Sequence, residues 1–511
     1  MSKIAKTTLL VMVLTIFSKL LGLFREQILA ATYGMGMQTD IYVTAMKIPT
    51  ILFSAIGGAI ATSLVPVYSK IKENKGEQES KKFINNLINI VILITLFIVL
   101  LGNIFTEELV KIFAIGFEGQ KLELTVKFVK IILWALIFMG INNIITTYLQ
   151  LNGNFKTPGL VGIPYNVIII ASIIISVKTN FYILIIGSLI GLISQVLFQL
   201  AAVRITGFNY NLKVDFKDEN VKYLIILVLP VLIGGGVEQI NTLIDGTIAS
   251  TFGEGIVTSF NYANRLYGFV SSIFVVSILS VVYPIMAKTS AAEDTKAFKI
   301  SIKKTLNIIL MLIIPICVGT LVLSEPIVKL LFERGKFSQS DTIMTANILM
   351  IYIISILAFS LRNVISRAFY SLHDTKTPMI NGAIAIVFNI VLNIVLSKYM
   401  GYIGLAIATT IAAYIGLVIF LITLRKRIGS FDGKSILTTA VKSIIAAVIM
   451  GIVTSICYNQ LATVLGIGLI GQVIKLGLSI LLGASVYAIV IFILKVEETQ
   501  IVLDMIKKKI K

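Results

Sequence analysis

Residues 18–65 decide the fold of this chain, and they read SKLLGLFREQILAATYGMGMQTDIYVTAMKIPTILFSAIGGAIATSLV. Two long apolar segments in this stretch contain or flank charged side chains, namely Lys19, Arg25, Glu26, Asp40 and Lys47. A charged side chain at the centre of a membrane costs at least about 2.5 kcal/mol, so a chain that keeps such residues there usually uses them. Because Asp40 and Lys47 are seven residues apart and share a helix face, they are candidate counterions for each other.

The composition of the 511-residue chain is that of a membrane protein with many spans. Apolar residues make up 57% of the chain, charged residues only 14%, and the mean hydropathy is +0.97. This composition excludes a soluble globular protein. Fourteen apolar runs approach the length that spans a bilayer, and they lie at 7–31, 41–68, 84–105, 126–151, 159–177, 181–203, 222–250, 258–287, 302–323, 343–371, 379–396, 402–424, 436–457 and 467–494.

The basic residues are distributed unequally between the two sets of loops that these runs define. If the N-terminus is cytoplasmic, most loop lysines and arginines fall on the cytoplasmic side, as in the basic loop at 70–82. The positive-inside rule therefore predicts that both termini are cytoplasmic. A net charge of +19 is then explained by loops that face an anionic leaflet, and we expect no nucleic-acid partner.

Sequence landmarks recur at nearly constant spacing along most of the chain. Thr157-Pro158 recurs as Thr377-Pro378, and both pairs follow a lysine. Three further pairs recur at almost the same offset, namely Leu109-Val110-Lys111 with Ile327-Val328-Lys329, Pro66 with Pro284, and Tyr33-Gly34 with Phe252-Gly253. The agreement of these four offsets indicates a duplicated unit of six helices.

Because each unit contains an even number of helices, both copies have the same orientation in the membrane. They are therefore related by an axis along the membrane normal. The predicted fold is therefore an all-α polytopic membrane protein with 14 transmembrane helices. It has two six-helix lobes, at 1–210 and 211–428, that are related by a pseudo-two-fold along the membrane normal. Two extra helices and a basic cytoplasmic tail occupy 429–511. We expect a central cleft between the lobes, as in transporters.

The cysteines and the histidine of the chain do not form a pattern that is typical of a catalytic or metal-binding site. Cys317 and Cys457 both fall in apolar helices, which favours packing over a disulfide or metal pair. The single histidine, His373, has no cysteine or histidine neighbour. Without a nucleotide-binding glycine loop or a nucleophile with a base, we expect no enzyme, no cofactor and no metal other than a coupling ion.

Cations gathered in a cleft select an anionic ligand, and arginine suits phosphate through paired hydrogen bonds. The predicted substrate-binding residues are Lys19, Arg25, Asp40, Lys47 and Arg265. Four further charged residues in the apolar runs are candidates for gating, namely Glu26, Glu238, Arg362 and Arg367.

A second group of polar residues predicts an ion site. Asn389 and Asn393 share a helix face, Thr409 lies in the following helix, and Asp245 is an intramembrane carboxylate. Together their oxygens would suit Na⁺, so Na⁺ or H⁺ is the expected coupling ion. The alternative is ordinary hydrogen bonding between helices, which asparagine and threonine commonly make in membranes.

The opening stretch resembles the N-terminal signature of the MurJ (MviN) lipid II flippases, members of the MOP exporter superfamily. The matching positions are Ser18, Leu21, Gly22, Arg25, Glu26, Gly34, Gly36, Asp40, Ala45, Lys47 and Pro49. The chain departs from the family at 50–54, where many members carry a pair of arginines. The resemblance implies a flippase of the bacterial cytoplasmic membrane that moves lipid II, an undecaprenyl-pyrophosphate-linked precursor, by alternating access for peptidoglycan synthesis.

The same resemblance implies that the last two helices line a groove for the lipid tail, and that membrane lipids and cell-wall synthesis proteins are partners. Two alternatives remain at this point. One is another MOP-type exporter, which would move an undecaprenyl-linked polysaccharide or a cationic drug. The other is a membrane scaffold that transports nothing, against which the intramembrane charges argue.

Overall fold

The computed structural model describes the backbone of residues 3–292, 294–466, 468–496 and 498–499. Side chains are described for the same residues, except those at 3–13, 55, 233–235, 237–238, 276–282, 284–285 and 291. Within these residues the chain is helical and contains no strand. The helices are α1 (Lys3–Tyr33), α2 (Met37–Ile104), α3 (Thr106–Phe113), α4 (Gly119–Ile132), α5 (Ala135–Leu151), α6 (Lys156–Leu160), α7 (Gly162–Lys178), α8 (Tyr182–Ile205), α9 (Glu219–Ala249), α10 (Ile256–Ala291), α11 (Thr295–Phe332), α12 (Gln339–Ser371), α13 (Lys376–Ile428), α14 (Gly433–Val464) and α15 (Leu469–Ile493), with a 3₁₀ turn at Ser250–Phe252.

The lengths and apolar character of these helices are those of a multi-pass membrane protein. In the described residues eight helices are long and apolar enough to cross a membrane, or nine if α4 and α5, bent by 41°, form one span. The all-α polytopic fold is thus confirmed, whereas the number of fourteen spans stays a prediction. Two of the long helices, α2 and α13, each cover two of the predicted apolar runs.

Glycines interrupt both of these long helices. The backbone leaves helical geometry at Gly76 (φ 86°) in α2 and at Gly401 (φ 60°) in α13. A positive φ is strained for residues with a Cβ, so glycine fits both positions. At the second break the chain also packs tightly, because a Cβ on Gly404 would lie 2.3 Å from the carbonyl oxygen of Leu396.

The chain divides into two compact units. Unit 1 comprises 1–258 and 334–337, and unit 2 comprises 259–333 and 338–511. Two apolar clusters form the interior of unit 1, one around Tyr68 and Tyr148 and the other around Phe128 and Ile132. The main cluster of unit 2 draws on α11, α12 and α13, and α14 and α15 both pack on α11. The three-part division predicted from the sequence repeat uses a different criterion and stays a prediction.

Local backbone features recur at the offset of the sequence repeat. Gly153 (φ 78°) and His373 (φ 58°), which precede the two Lys-Thr-Pro segments, adopt the same left-handed conformation after α5 and α12. In each case the next residue is polar and accepts the N–H of a threonine three positions later: Asn154 at 3.2 Å and Asp374 at 2.9 Å. The hydrogen bond from that backbone N–H holds the pKa of Asp374 below its ordinary value.

An extended segment at 206–218, here called the strap, is bound to α2 by asparagine side chains. Asn85 donates to the carbonyl of Asn211 at 2.7 Å and accepts its N–H at 3.1 Å. Asn86 does the same with Asp215, at 2.8 Å in both directions. The two side-chain amides therefore bind the backbone N–H and C=O groups of the strap, as the backbone of a neighbouring β-strand would.

Replacing Asn86 by alanine should loosen the strap. The substitution leaves the N–H and C=O of the exposed Asp215 to water, and each lost hydrogen bond of this kind costs about 0.5–1.5 kcal/mol. Trypsin should then cut faster after Lys213 and Lys217 in limited proteolysis of the purified protein. Asn103→Ala is the control, because that amide donates to a carbonyl of its own helix. Equal cleavage rates for both variants would contradict the assignment.

Candidate functional site

Asp40, in the first turn of α2, is fully buried and uses both carboxylate oxygens. Oδ2 accepts from Nζ of Lys121 and from the backbone N–H of Gly255, each at 2.8 Å. Oδ1 accepts from the backbone N–H and the hydroxyl of Thr258, at 3.0 Å and 2.7 Å. The N–H groups belong to the start of α10, where a helix carries partial positive charge. Asp40 therefore binds α4 and the start of α10 to α2.

The counterion of Asp40 differs from the one suggested by sequence spacing. Lys121, on α4, forms the ion pair, and its ammonium group lies 4.1 Å from the ring centroid of Phe117. The seven-residue spacing on one helix predicts Lys47 as the counterion of Asp40 instead. Sequence reasoning missed Lys121 because a pair 81 residues apart has no periodicity.

Four turns meet around Asp40, and we call them the clasp. The clasp consists of residues 31–40, 112–121, 247–258 and 334–337. The N–H of Lys336 donates to the carbonyl of Ala31 at 2.8 Å, and the N–H of Gly116 donates to the hydroxyl of Ser250 at 3.0 Å. A Cβ on Gly335 would lie 2.1 Å from the carbonyl oxygen of Ala31, so only glycine fits that approach. The clasp joins segments from both predicted lobes, and it lies within unit 1.

Arg25 lies in a separate polar site between α1 and α7. Its guanidinium forms an ion pair with Glu26 at 2.6 Å, donates to Oδ1 of Asn166 at 3.1 Å and lies over the ring of Tyr165 at 5.3 Å. The Arg25 side chain is 12% exposed. A guanidinium has five N–H donors, and these two bonds use two of them. The structure thus pairs a predicted substrate residue with a predicted gating residue, and adds Asn166 and Tyr165, which sequence reasoning missed.

Lys47 lies where α2 packs on α9. A Cβ on Gly246 would come within 3.3 Å of its Nζ, which places the ammonium group against that helix. Both residues line a small cavity with Thr44 and Thr242. The buried hydroxyl of Thr44 has no hydrogen-bond partner in the part of the chain that the structure describes. The cavity has room for about one water molecule.

The two remaining predicted substrate residues are exposed in their own units. Lys19 is exposed on α1 in unit 1, and Arg265 is exposed on α10 in unit 2. Their membership of one substrate site stays a prediction.

Three of the four predicted ion ligands lie together in unit 2. Asn389 donates to Oγ1 of Thr409 at 3.2 Å, and Asn393 donates to Oδ1 of Asn389 at 2.9 Å. Both asparagines are buried. These bonds agree with the helix-to-helix alternative, and they also place several oxygens close together. Asp245, the fourth predicted ligand, lies on α9 in unit 1.

The other gating candidates lie beside aromatic rings. The guanidinium of Arg362 lies 5.4 Å from the ring centroids of both Phe359 and Phe420. Arg367 lies over the ring of Tyr283 at 5.1 Å. These contacts are cation–π interactions inside unit 2. Glu238 belongs to α9, but its side chain lies outside the described residues.

Long apolar helices with buried ion pairs in the described residues define a polytopic membrane protein, and its fold is similar to that of a solved transporter of the MOP superfamily. An inward-facing multidrug resistance MATE family transporter of that superfamily has a TM-score of 0.66 and 14% sequence identity, covering 83% of this chain and 99% of its own. At this identity the likeness shows the fold alone.

Residues 29–493 match the family described as lipid II flippase MurJ, and the chain belongs to this family. A lipid II flippase MurJ from Thermosipho africanus is 30% identical over 440 residues, which cover 86% of this chain and 89% of the relative. A probable lipid II flippase MurJ from Rhizobium tropici is 28% identical over 494 residues, covering 94% and 92%. A solved lipid II flippase MurJ in an inward closed conformation has a TM-score of 0.79 at 29% identity, covering 94% of this chain and 98% of its own.

Asp40→Asn should destabilise the clasp strongly. The neutral amide leaves Lys121 without its counterion, and its N–H₂ group faces a group that also donates. Removing one partner of a buried ion pair costs about 3–5 kcal/mol. The midpoint of thermal unfolding of the detergent-purified protein should fall by many degrees. Glu107→Gln is the control, because Glu107 pairs with Lys111 on the surface, and it should leave the midpoint unchanged. Similar midpoints for the two variants would contradict the role of Asp40.

Proposed function

We propose that this protein is a lipid II flippase of the bacterial cytoplasmic membrane, with both termini in the cytoplasm. The observation that carries the proposal is the family match over 29–493, together with the buried arginine of the signature stretch at Arg25. The protein supplies peptidoglycan synthesis by moving the precursor from the cytoplasmic to the outer leaflet. It acts as a carrier and makes no covalent change to the lipid.

The guanidinium of Arg25 is suited to the pyrophosphate of the lipid head group. Its charge is balanced by Glu26 in this structure, and its planar donors match phosphate oxygens. An incoming phosphate can therefore take over donors that now serve Glu26 and Asn166. Such an exchange avoids leaving the cation unpaired in an apolar surrounding at any step.

The clasp supplies the external closure that alternating access requires. In the proposed orientation α1 and α9 both run from the cytoplasm outward, so their ends near Tyr33 and Ala249 lie at the outer face. Opening must separate Asp40 from Gly255 and Thr258. These are hydrogen bonds that water can replace, so the closure can be reversible.

The energy for resetting the empty carrier comes from the membrane potential or from a cation gradient. A charge moving across the potential contributes about 2.3 kcal/mol per 100 mV. Na⁺ bound by oxygens such as those of Asn389, Asn393 and Thr409 is one route, and Asp245 stays a predicted fourth ligand. H⁺ is the alternative coupling ion.

Depletion of the protein should lower lipid II exposure at the outer face, in a bacterium that has no second flippase. An external probe that binds lipid II measures this exposure. When the Arg25→Gln variant is expressed in the depleted cells, it should restore no more than about a tenth of the wild-type lipid II exposure. The glutamine amide lacks both the positive charge and the paired N–H donors with which arginine holds phosphate. Lys127→Gln, a change of an exposed lysine on α4 that pairs with Glu123, should restore it fully.

Unchanged exposure after depletion would remove the flippase proposal and leave another MOP-type exporter or a scaffold. Full restoration by Arg25→Gln would remove Arg25 from the substrate site while keeping the flippase assignment.

Sodium coupling predicts that flipping depends on Na⁺ through Asn393. Asn393→Ala and Asp245→Asn should each abolish the difference in flipping rate between Na⁺ and choline media. Asn381→Ala is a matched control, since this buried asparagine of α13 donates to Thr423 in a comparable bond. Flipping that is indifferent to Na⁺ in the wild-type protein, or unaffected by both substitutions, would reject the sodium site.

A further inference from the structure

The last helix of the described residues, α15, contains one charged residue, Lys475, and most of this residue is buried. Lys475 is only 5% exposed, whereas Val473 is 50% and Ile474 is 40% exposed. A lysine that merely anchors a helix extends its ammonium group outward to the head groups. The stem of Lys475 is instead packed inside the protein, so the groups around its charge decide its role.

The face of α15 that carries Lys475 packs on α14. Ser479 and Gly483 follow at intervals of four residues and lie on the same face, and all three residues are buried. A Cβ on Gly483 would lie 2.1 Å from Oγ1 of Thr454, which places this face directly against α14. Lys475 lies two turns from that contact, toward the connection between the two helices.

The polar groups on this face lack partners among the residues that the structure describes. Lys475 forms no ion pair or hydrogen bond with any of them. The hydroxyl of Ser479 is fully buried and has no hydrogen-bond partner there either. By contrast Ser485, on the same helix, donates to the carbonyl of Leu481 at 2.8 Å. The ammonium group of Lys475, at the end of a buried stem, and the buried hydroxyl of Ser479, one turn away, are thus both left for a ligand.

We propose that Lys475 and Ser479 bind the phosphate group of a lipid. An ammonium group and a hydroxyl are ordinary phosphate donors, and the ligand's negative charge compensates the positive charge of Lys475. Lys475 is six residues from the start of α15, about 9 Å along the axis, so a head group at the membrane surface is within reach of its side chain. Exposed apolar residues nearby, such as Leu478, would contact the acyl chains.

Two lipids carry this chemistry, and the site does not depend on which one supplies it. One is an anionic phospholipid of the bulk membrane. The other is a polyprenyl pyrophosphate, which in the orientation of the proposed function would be held near the outer leaflet. Only this second source rests on the proposed function, because the first needs no transport.

The test is equilibrium lipid binding to the full-length protein in detergent, measured by native mass spectrometry. Phosphatidylglycerol and undecaprenyl pyrophosphate are the two probes, and a diacylglycerol glycolipid without phosphate is the reference. Lys475→Gln should weaken binding of at least one phosphate lipid about tenfold, and Ser479→Ala should weaken it about threefold. Lys475→Arg should retain binding.

Lys442→Gln is the matched control, because Lys442 is the only basic residue of α14 beyond its first turn and donates to the carbonyl of Lys495. It should leave binding of both phosphate lipids unchanged. A loss confined to phosphatidylglycerol identifies a bulk phospholipid, and a loss confined to undecaprenyl pyrophosphate identifies the carrier lipid.

Wild-type affinity of Lys475→Gln for both phosphate lipids would overturn the proposal, as would an equal loss for the reference glycolipid. If Lys475→Gln does not fold, Ser479→Ala and Lys475→Arg decide in the same way: unaltered binding by Ser479→Ala overturns the paired site. Because the measurement needs no flipping, a failed flippase proposal leaves these outcomes intact.

Discussion

The carboxylate of Asp40 is the constraint on which the closed arrangement of unit 1 depends. A buried negative charge is tolerated only when hydrogen bonds and a counterion replace the water it has lost. Asp40 obtains them from Lys121 and from the start of α10, so its burial requires that α2, α4 and the first turn of α10 meet at one point. The glycines at the neighbouring turns then permit the close backbone contacts that surround this point.

The same rule distinguishes two further charges of the described residues, Arg25 and Lys475. The positive charge of Arg25 is stabilised by Glu26, Asn166 and Tyr165, so it can remain buried without a ligand. Lys475 has no such compensation in the described residues. In an apolar environment the difference is large, because an unpaired charge has neither water nor protein to stabilise it.

The clasp is built from polar contacts, while the interiors of the two units are apolar. Packed apolar clusters, such as the one around Phe128 in unit 1, are costly to separate because the buried area must return to water or lipid. Hydrogen bonds between the turns of the clasp can be exchanged for bonds to water at little net cost. The polar contacts of the clasp can therefore exchange while the apolar interiors of the units stay packed.

The sequence by itself determined the membrane class, the helical fold and the family, because apolar run length and the signature at 18–65 are local properties of the chain. It also singled out Asp40 and Arg25, since a charge in an apolar run is visible without any partner. Only the tertiary structure decided the partners, Lys121 for Asp40 and Asn166 for Arg25, and the burial of Lys475. The physical reason is that contacts between residues dozens or hundreds of positions apart depend on how helices pack. Helical periodicity relates only residues on the same helix.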